Sequence, residues 1–280
     1  MENNDQSKKL EVMALNTLRG VRKEGFFIPY RYAGDVPEHS PEYKGLSSRF
    51  AQAHETFQTW IDHANDFAQE LGGIDGTSAF QARFDQYWFP RLDAAIAYTM
   101  VRTLKPKRIV EVGSGHSTRF MALAIDHEMY DASFTAIDPE PRKEVANLPI
   151  NFERTTLQHV DLSLFETLHE GDFLCFDSSH ILMPGTDVDI AINRILPLLP
   201  KGVVVFFHDI FLPYAYPDDW LWRGYNEQNA VGGLLQGGYE LLFASHYVLK
   251  RMEQSVVNSA IGQLPLLKGA HECGLWMRKG

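Results

Sequence analysis

The sequence predicts a doubly wound α/β domain on a mostly parallel sheet, with a helical attachment ahead of it. Three observations predict this. Four short runs, RIVEV (108–112), SFTAI (133–137), DFLCF (172–176) and GVVVFF (202–207), are nearly continuous in apolar residues rather than alternating. Such runs mark strands buried on both faces by helices. Segments of helical length lie between them, roughly Thr118–Met129, Pro139–Ala146 and Asp187–Leu199, and a glycine turn follows the first run. Two late runs, YELLFASHYVL (239–249) and CGLWMRK (273–279), are candidates for a closing antiparallel pair.

The texture changes near residue 85, which divides the chain into an attachment, 1–85, and the α/β domain, 86–280. Within the attachment Phe50, Ala53, Phe57, Trp60, Ile61, Ala64, Phe67, Ala68 and Leu71 recur at steps of three and four. That spacing predicts one apolar helix face, stopped by Gly72-Gly73. The stripe is read as packing, with a subunit interface in a homo-oligomer among its uses. After Phe84 a second helix carries Leu92, Ala95, Ile96 and Met100, with Pro90 near its first turn and Pro106 closing it.

Composition sets the bounds. The chain has 280 residues, 45% of them apolar, and a formal charge of −10. An acidic balance argues against a general nucleic-acid or anionic-membrane binder. No apolar run approaches the roughly 18–20 residues needed to span a bilayer, and the start, MENNDQSKKLEVMALN, lacks the apolar core of a secretory signal. Cys175 and Cys273 form no disulfide framework and no zinc spacing. The expectation is a soluble, cytoplasmic protein with no membrane or nucleic-acid partner.

The best chemical signal is RIVEVGSGHSTRF. The first strand reaches Glu111, Gly113 and Gly115 bracket a tight turn, and Ser117 or Thr118 can cap the next helix. Glycines let backbone pass close to a ligand, and a helix N-terminus offers free amide donors. The dinucleotide pattern G-x-G-x-x-G would set a third glycine where Thr118 stands, which counts against a nicotinamide dehydrogenase. The second strand ends in Asp138, placed to accept both ribose hydroxyls of a nucleoside or to cap a helix ahead of Pro139.

In this order and spacing, EVGSGHST, AIDPEP, GDFLCFDSSH and GVVVFFHDIF resemble the class I S-adenosylmethionine-dependent methyltransferases. The likeness is to the bacterial branch with the nucleotide turn E-x-G-S-G-x-S-T, and it covers about residues 85–280. It implies a Rossmann-like, seven-stranded, mostly parallel sheet with a closing antiparallel strand. It also implies S-adenosylmethionine as cofactor. Glu111, Gly113, Ser114 and Gly115 would shape the methionine side, Asp138 would hold the ribose, and the adenine contact would fall near Leu157–Gln158. Asp177 would face the reacting methyl.

Ligands in open α/β sheets sit outside the carboxyl ends of the strands. The run DFLCF ends in Asp177-Ser178-Ser179-His180 and the run GVVVFF in His208-Asp209, polar tips that burial does not explain. A histidine titrates near neutral pH, which suits His180 as general base assisted by Asp177 and Asp209; the plain alternative is a loop histidine. The resemblance extends to small-molecule O-methyltransferases that hold Mg²⁺ at these tips, which would make Asp177, His208 and Asp209 metal ligands. Mg²⁺ prefers all-oxygen ligation, whereas a histidine suits Mn²⁺, Fe²⁺ or Zn²⁺. His208 serves equally as an orienting partner of Asp209 or of a substrate.

The segment FLPYAYPDDWLWRGYNEQNAV then brings Tyr214, Tyr216, Trp220, Trp222 and Tyr225 together with prolines. It reads as a lid over a small substrate or as a plug against the N-terminal helices. Trp222, Arg223, Tyr225 and Asn226, with His208, are the expected substrate contacts, and Glu227 adds a polar group. Phe26, Phe27, Tyr30 and Tyr32 either line that pocket or pack the attachment, and Trp88 is expected to pack. The expected activity is O-methylation of a small-molecule acceptor. The alternatives are a metal-dependent oxygenase or hydroxylase on the same fold and a nucleoside-binding protein without catalysis.

Overall fold

Strands apolar on both faces need cover on both sides, and the chain supplies it by crossing over after each one. A computed structural model describes residues 2–37, 42–141 and 145–280, the side chains of 2–7 and Ala146 excepted. Seven strands form one sheet: β1 (Arg108–Val112), β2 (Ser133–Ile137), β3 (Asn151–Glu153), β4 (Phe173–Phe176), β5 (Val204–Phe207), β6 (Tyr239–Ala244) and β7 (Leu275–Lys279). Their order is β3-β2-β1-β4-β5-β7-β6. The first five are parallel, and β7 runs antiparallel between β5 and β6. The chain switches direction across the sheet between β1 and β4, where an open α/β sheet leaves a crevice. Val112 lies beside Phe176, and Phe176 beside Phe207. The carboxyl ends of β1, β4 and β5 therefore meet at one edge.

The chain divides into two units, Met1–Ser40 and Pro41–Gly280. The first contains α1 (Glu2–Leu18). There Glu24 closes a return turn, accepting from Asn16 Nδ2 at 2.7 Å and donating its amide to Thr17 Oγ1 at 3.0 Å. Phe26 and Phe27 line a cavity of about 190 Å³ with Leu10, Met13 and Leu18 of this same unit.

The second unit begins with α2 (Lys44–Gln52), α3 (His54–Asp66) and α4 (Ala68–Gly72). The single helix expected over the Phe50–Leu71 stripe is thus three. Ala53 and Phe67, at ψ of 6° and 21°, leave helical geometry, and both are only half-buried. Phe50, Phe57, Trp60, Ile61, Ala64 and Leu71 are buried. These helices, read from sequence as attachment, belong to the same unit as the sheet. Next, α5 (Arg91–Leu104) starts just after Pro90 and ends at Lys105 in the left-handed region, ahead of Pro106.

Between the strands, α6 (His116–Glu128) starts two residues earlier than expected. The helix expected over Pro139–Ala146 falls partly outside the described residues; Val145–Asn147 form a 3₁₀ turn. α7 (Ser163–Glu166) precedes β4. The expected helix at Asp187–Leu199 is α8 (Asp187–Ile190) continued by a π turn and a 3₁₀ turn. Pro197 has no amide hydrogen with which to continue an α-helix. α9 (Glu227–Gln236) follows the aromatic loop. The run expected as strand through 249 stops at Ala244, where α10 (Ser245–Arg251) and α11 (Glu253–Val257) begin.

One buried junction fixes the amino end of α5 to the start of β7. Glu272 accepts from the Leu92 amide at 2.5 Å and from Arg91 at 3.0 and 3.2 Å. Asp93, fully buried, accepts from the Cys273 and Gly274 amides at 2.9 and 2.8 Å. Carboxylates suit the first turn of a helix, where amides point outward unpaired. Removing Asp93 would strand two buried amides, at about 1–3 kcal/mol each. Asp93→Ala is predicted to lower unfolding free energy by about 2–4 kcal/mol in denaturant titration; an unchanged midpoint would refute this role.

Candidate active site

The turn after β1 is shaped by contact. Gly113 has φ +84°, and a Cβ there would lie 1.8 Å from the Asp177 carbonyl oxygen. No side chain fits, so β1 and β4 close directly on each other. A Cβ on Gly115 would meet nothing within 4 Å. Of the two expected caps, Thr118 closes the start of α6 at its N-cap residue Gly115, and Ser117 does not. The hydroxyls of Ser117 and Thr118 donate to Glu111 at 2.5 and 2.6 Å, and Thr118 Oγ1 accepts from the Gly115 amide at 2.9 Å.

Glu111 consequently sits beneath the turn, at 0% exposure, and lines neither cavity of this edge. Burial pushes its carboxyl up to about 8, against the lowering effect of the two hydroxyls. It holds the turn together from beneath, through Ser117 and Thr118.

Two cavities open at the carboxyl edge. The first, about 440 Å³, is lined by Gly113, Ser114, Asp138, Leu157, Gln158 and Asp177, among others. Asp138 Oδ2 accepts from the Ser114 amide at 3.0 Å and hydroxyl at 2.7 Å, while Oδ1 accepts from the Glu140 amide at 2.8 Å. The second, about 250 Å³, has Asp177, His180, His208 and Asp209 in its lining, with Ser114 and Gly115. Ser114, Asp177 and Ser178 line both.

The polar residues of this second cavity form a chain of alternating charge. Asp93 Oδ2 lies 3.2 Å from His208 Nε2, and His208 Nδ1 lies 3.2 Å from Asp209 and 3.5 Å from Asp177. His180 Nε2 lies 3.3 Å from Asp209 and 3.6 Å from Asp177, and its Nδ1 lies 2.9 Å from Glu227. Burial alone would lower both histidines; the surrounding carboxylates outweigh it and hold both well above the ordinary range. Burial alone would raise Asp177 and Asp209; the two imidazoles hold them below it. Glu227 moves the other way, raised by burial.

The backbone is bent to suit. His180 and Asp209 have φ of +59° and +57°, a region that side chains avoid and that gathers at functional sites. The Asn226 and Glu227 amides, at the start of α9, donate to the His180 carbonyl at 3.1 and 3.3 Å. One helix end thus holds both the backbone and the ring of His180.

Of the expected substrate contacts, His208, Arg223 and Tyr225 line the second cavity, the Tyr225 ring 4.6 Å from that of His180. Asn226 does not. Its amide group is spent on Leu182, accepting from the Leu182 amide at 2.6 Å and donating to its carbonyl at 3.2 Å. Trp222 does not either; it lies 47% exposed, and Trp220 takes the place on the wall. Trp88, expected to pack, is 56% exposed and lines the cavity, stacked on His116 at 5.8 Å. Tyr87, Phe89, His116 and His271 complete the lining that the sequence did not indicate.

The expected metal set does not suit Mg²⁺. Asp177 and Asp209 share their site with two imidazole nitrogens at 3.2–3.6 Å, whereas Mg²⁺ takes oxygen ligands. The two imidazoles, drawn toward their charged form by the carboxylates, compete with a cation for the same oxygens. The described group whose ligand atoms all lie within 4.8 Å of one another is a different one, Asp93, His208 and Cys273. There both Asp93 oxygens already accept backbone amides.

The two glycines are predicted to part company on substitution. Gly113→Ala forces apart the tips of β1 and β4 and should cost about 3 kcal/mol or more of stability, as overpacking against backbone does. Gly115→Ala should fold with an unchanged melting temperature. Equal melting temperatures for the two variants would contradict the crowding at Gly113.

Residues 110–210, from within β1 to just past β5, match the model of a family described as a methyltransferase domain. An uncharacterized protein of Archaeoglobus fulgidus is 33% identical over 89 residues, 29% of this chain. The match spans 40% of that relative's length. Among solved structures, an S-adenosylhomocysteine-bound methyltransferase of Podospora anserina is 14% identical, covering 91% of this chain and 99% of that one, at a TM-score of 0.42. A plantazolicin methyltransferase in complex with S-adenosylhomocysteine is 14% identical over 82% of this chain and 99% of that one, at 0.40. Likenesses this slight carry nothing further. No helix among the described residues is long and apolar enough to cross a membrane. The match to the methyltransferase-domain model spans the tips of β1, β2, β4 and β5 that border both cavities.

Proposed function

We propose that the protein methylates an oxygen of a small acceptor held in the second cavity, and that His180 takes the acceptor's proton. The observation that carries this reading is the meeting of the two cavities at Ser114, Asp177 and Ser178. A nucleoside in the first and an acceptor in the second would touch there. S-adenosylmethionine, when bound, supplies a methyl group on a positively charged sulfur.

The chain's own residues do the rest. Asp138 offers carboxylate oxygens to the ribose hydroxyls in exchange for its bonds to Ser114. Leu157 gives an apolar surface for the adenine, and Gln158 lines the same wall. The Gly113 turn brings the two ligands end to end, and well-oriented reactants recover roughly 7–11 kcal/mol of a barrier.

Proton removal falls to the His180–Glu227 pair. Glu227 fixes the ring through Nδ1, which leaves Nε2 toward the cavity with Asp209 and Asp177. At rest this nitrogen carries a proton, because three carboxylates stabilise the cation. Only the neutral ring can accept the acceptor's proton, so turnover rises with pH through the raised pKa of His180. His180→Ala is predicted to lower turnover by about 10²–10⁴-fold, with S-adenosylhomocysteine affinity within about twofold. Glu227→Gln removes a carboxylate that favours the cation, so the rising limb of the pH profile should move to lower pH.

The assay is S-adenosylhomocysteine release from pH 6 to 9 across a panel of phenols and phenolic acids. Undiminished turnover in the His180 variant, or a profile flat over that range, would remove His180 from the mechanism. Release of no product with any oxygen acceptor, but with amines instead, would overturn the oxygen assignment.

A further inference from the structure

The lining of the second cavity contains one guanidinium with no carboxylate partner. Arg91, Arg102, Arg251 and Arg278 each pair with a carboxylate at 2.6–3.2 Å. Among the described residues Arg223 has no such partner; its hydrogen bond runs from Nη1 to the Tyr225 hydroxyl at 3.1 Å. Its guanidinium carbon lies 4.1 Å from the Trp220 ring centroid, 5.3 Å from Trp222 and 5.4 Å from Tyr225. Its Nε is buried with no hydrogen-bond partner.

Aromatic rings hold a guanidinium flat and dry, which strengthens it as a receptor for a planar anion. A buried N–H without an acceptor is destabilising. That cost disappears when a carboxylate takes up the two-pronged arrangement a guanidinium prefers.

We infer that Arg223 receives a carboxylate and that the acceptor is a small hydroxylated aromatic acid. This rests on the proposed methyl transfer. The Tyr225 ring touches both ends of the arrangement, with His180 at 4.6 Å and the Arg223 guanidinium at 5.4 Å. The group that takes the proton and the group that takes the anion thus both lie against Tyr225 on the cavity wall. A ring bearing a hydroxyl and a carboxylate can present one to each. Trp88 and Trp220 give it flat walls, and the cavity of about 250 Å³ has room for one ring. A neutral phenol would leave the buried Nε of Arg223 without an acceptor, which selects against it.

A second carboxylate could reach the same cavity, that of the cofactor's methionine end, because Ser114, Gly115 and His116 also line it. The test therefore has two arms, both by calorimetry on the full chain, wild type and the variants Arg223→Gln and Arg223→Lys. In the first, S-adenosylhomocysteine is compared with its analogue lacking the carboxylate. In the second, 4-hydroxybenzoate, 3,4-dihydroxybenzoate and catechol are titrated into protein saturated with S-adenosylhomocysteine.

The expected result is tighter binding of the two acids than of catechol, and a loss of about 10- to 100-fold for the acids in Arg223→Gln. Arg223→Lys should recover part of that loss, catechol should be indifferent, and S-adenosylhomocysteine affinity should move less than about twofold. Loss of S-adenosylhomocysteine affinity in Arg223→Gln, without loss for its decarboxylated analogue, would assign the anion to the cofactor and overturn the inference. So would acids that bind no better than catechol, or not at all. Failure of the wild type to bind S-adenosylhomocysteine would strike the methyl-transfer reading instead. Titrating the acids into the unliganded chain would then still show whether Arg223 receives them.

Discussion

Two imidazoles and four carboxylates occupy one dry patch at the tips of β4 and β5, and the site depends on their alternation. Asp93, His208, the pair Asp177 and Asp209, His180 and Glu227 follow one another at 2.9–3.6 Å. Any one of them alone would be expensive to bury, and breaking a buried pair leaves its partner uncompensated. Held in sequence, each ring has a carboxylate on both nitrogens. The carboxylates favour the charged form of each ring, and the rings favour the ionised form of the central carboxylates. The proposed function is built on that arrangement: His180 faces the cavity, and the outer carboxylates Asp93 and Glu227 are anchored in α5 and α9, outside the strands.

The glycine turn imposes the second constraint, which is steric. With no Cβ at position 113, the Asp177 carbonyl approaches until the turn and the β4 tip are one surface. Asp177 consequently belongs to both cavities, and a ligand in one abuts a ligand in the other. Glu111 serves this geometry from below, by anchoring Ser117 and Thr118.

Much of this was legible in the residues. Apolar runs ending in polar residues marked β1, β2, β4 and β5, and Asp177, His180, His208 and Asp209 stand where those endings placed them. β3 was invisible because Asn151–Glu153 is three residues long, with exposed ends and a half-buried centre. The stripe from Phe50 to Leu71 keeps helical spacing across two breaks, so periodicity alone could not show them. Glu227 was visible only as a polar residue of the aromatic loop, and Asp93 as part of an amphipathic helix. Their partners lie 47 and 115 residues away, and nothing local marks such pairings. Asn226 was open to two readings for a related reason. An amide after an aromatic loop can serve a ligand or the backbone, and here Leu182 claims it. Trp88 misled in the opposite sense, since a tryptophan among phenylalanines reads as core until its exposure is known.

The most direct measurement is a crystal structure of the protein with S-adenosylhomocysteine bound. The account places the ribose on Asp138, the adenine against Leu157, and the sulfur at the shared wall of Ser114, Asp177 and Ser178, facing His180. A nucleoside bound anywhere else, or a sulfur turned away from the imidazole, would contradict it.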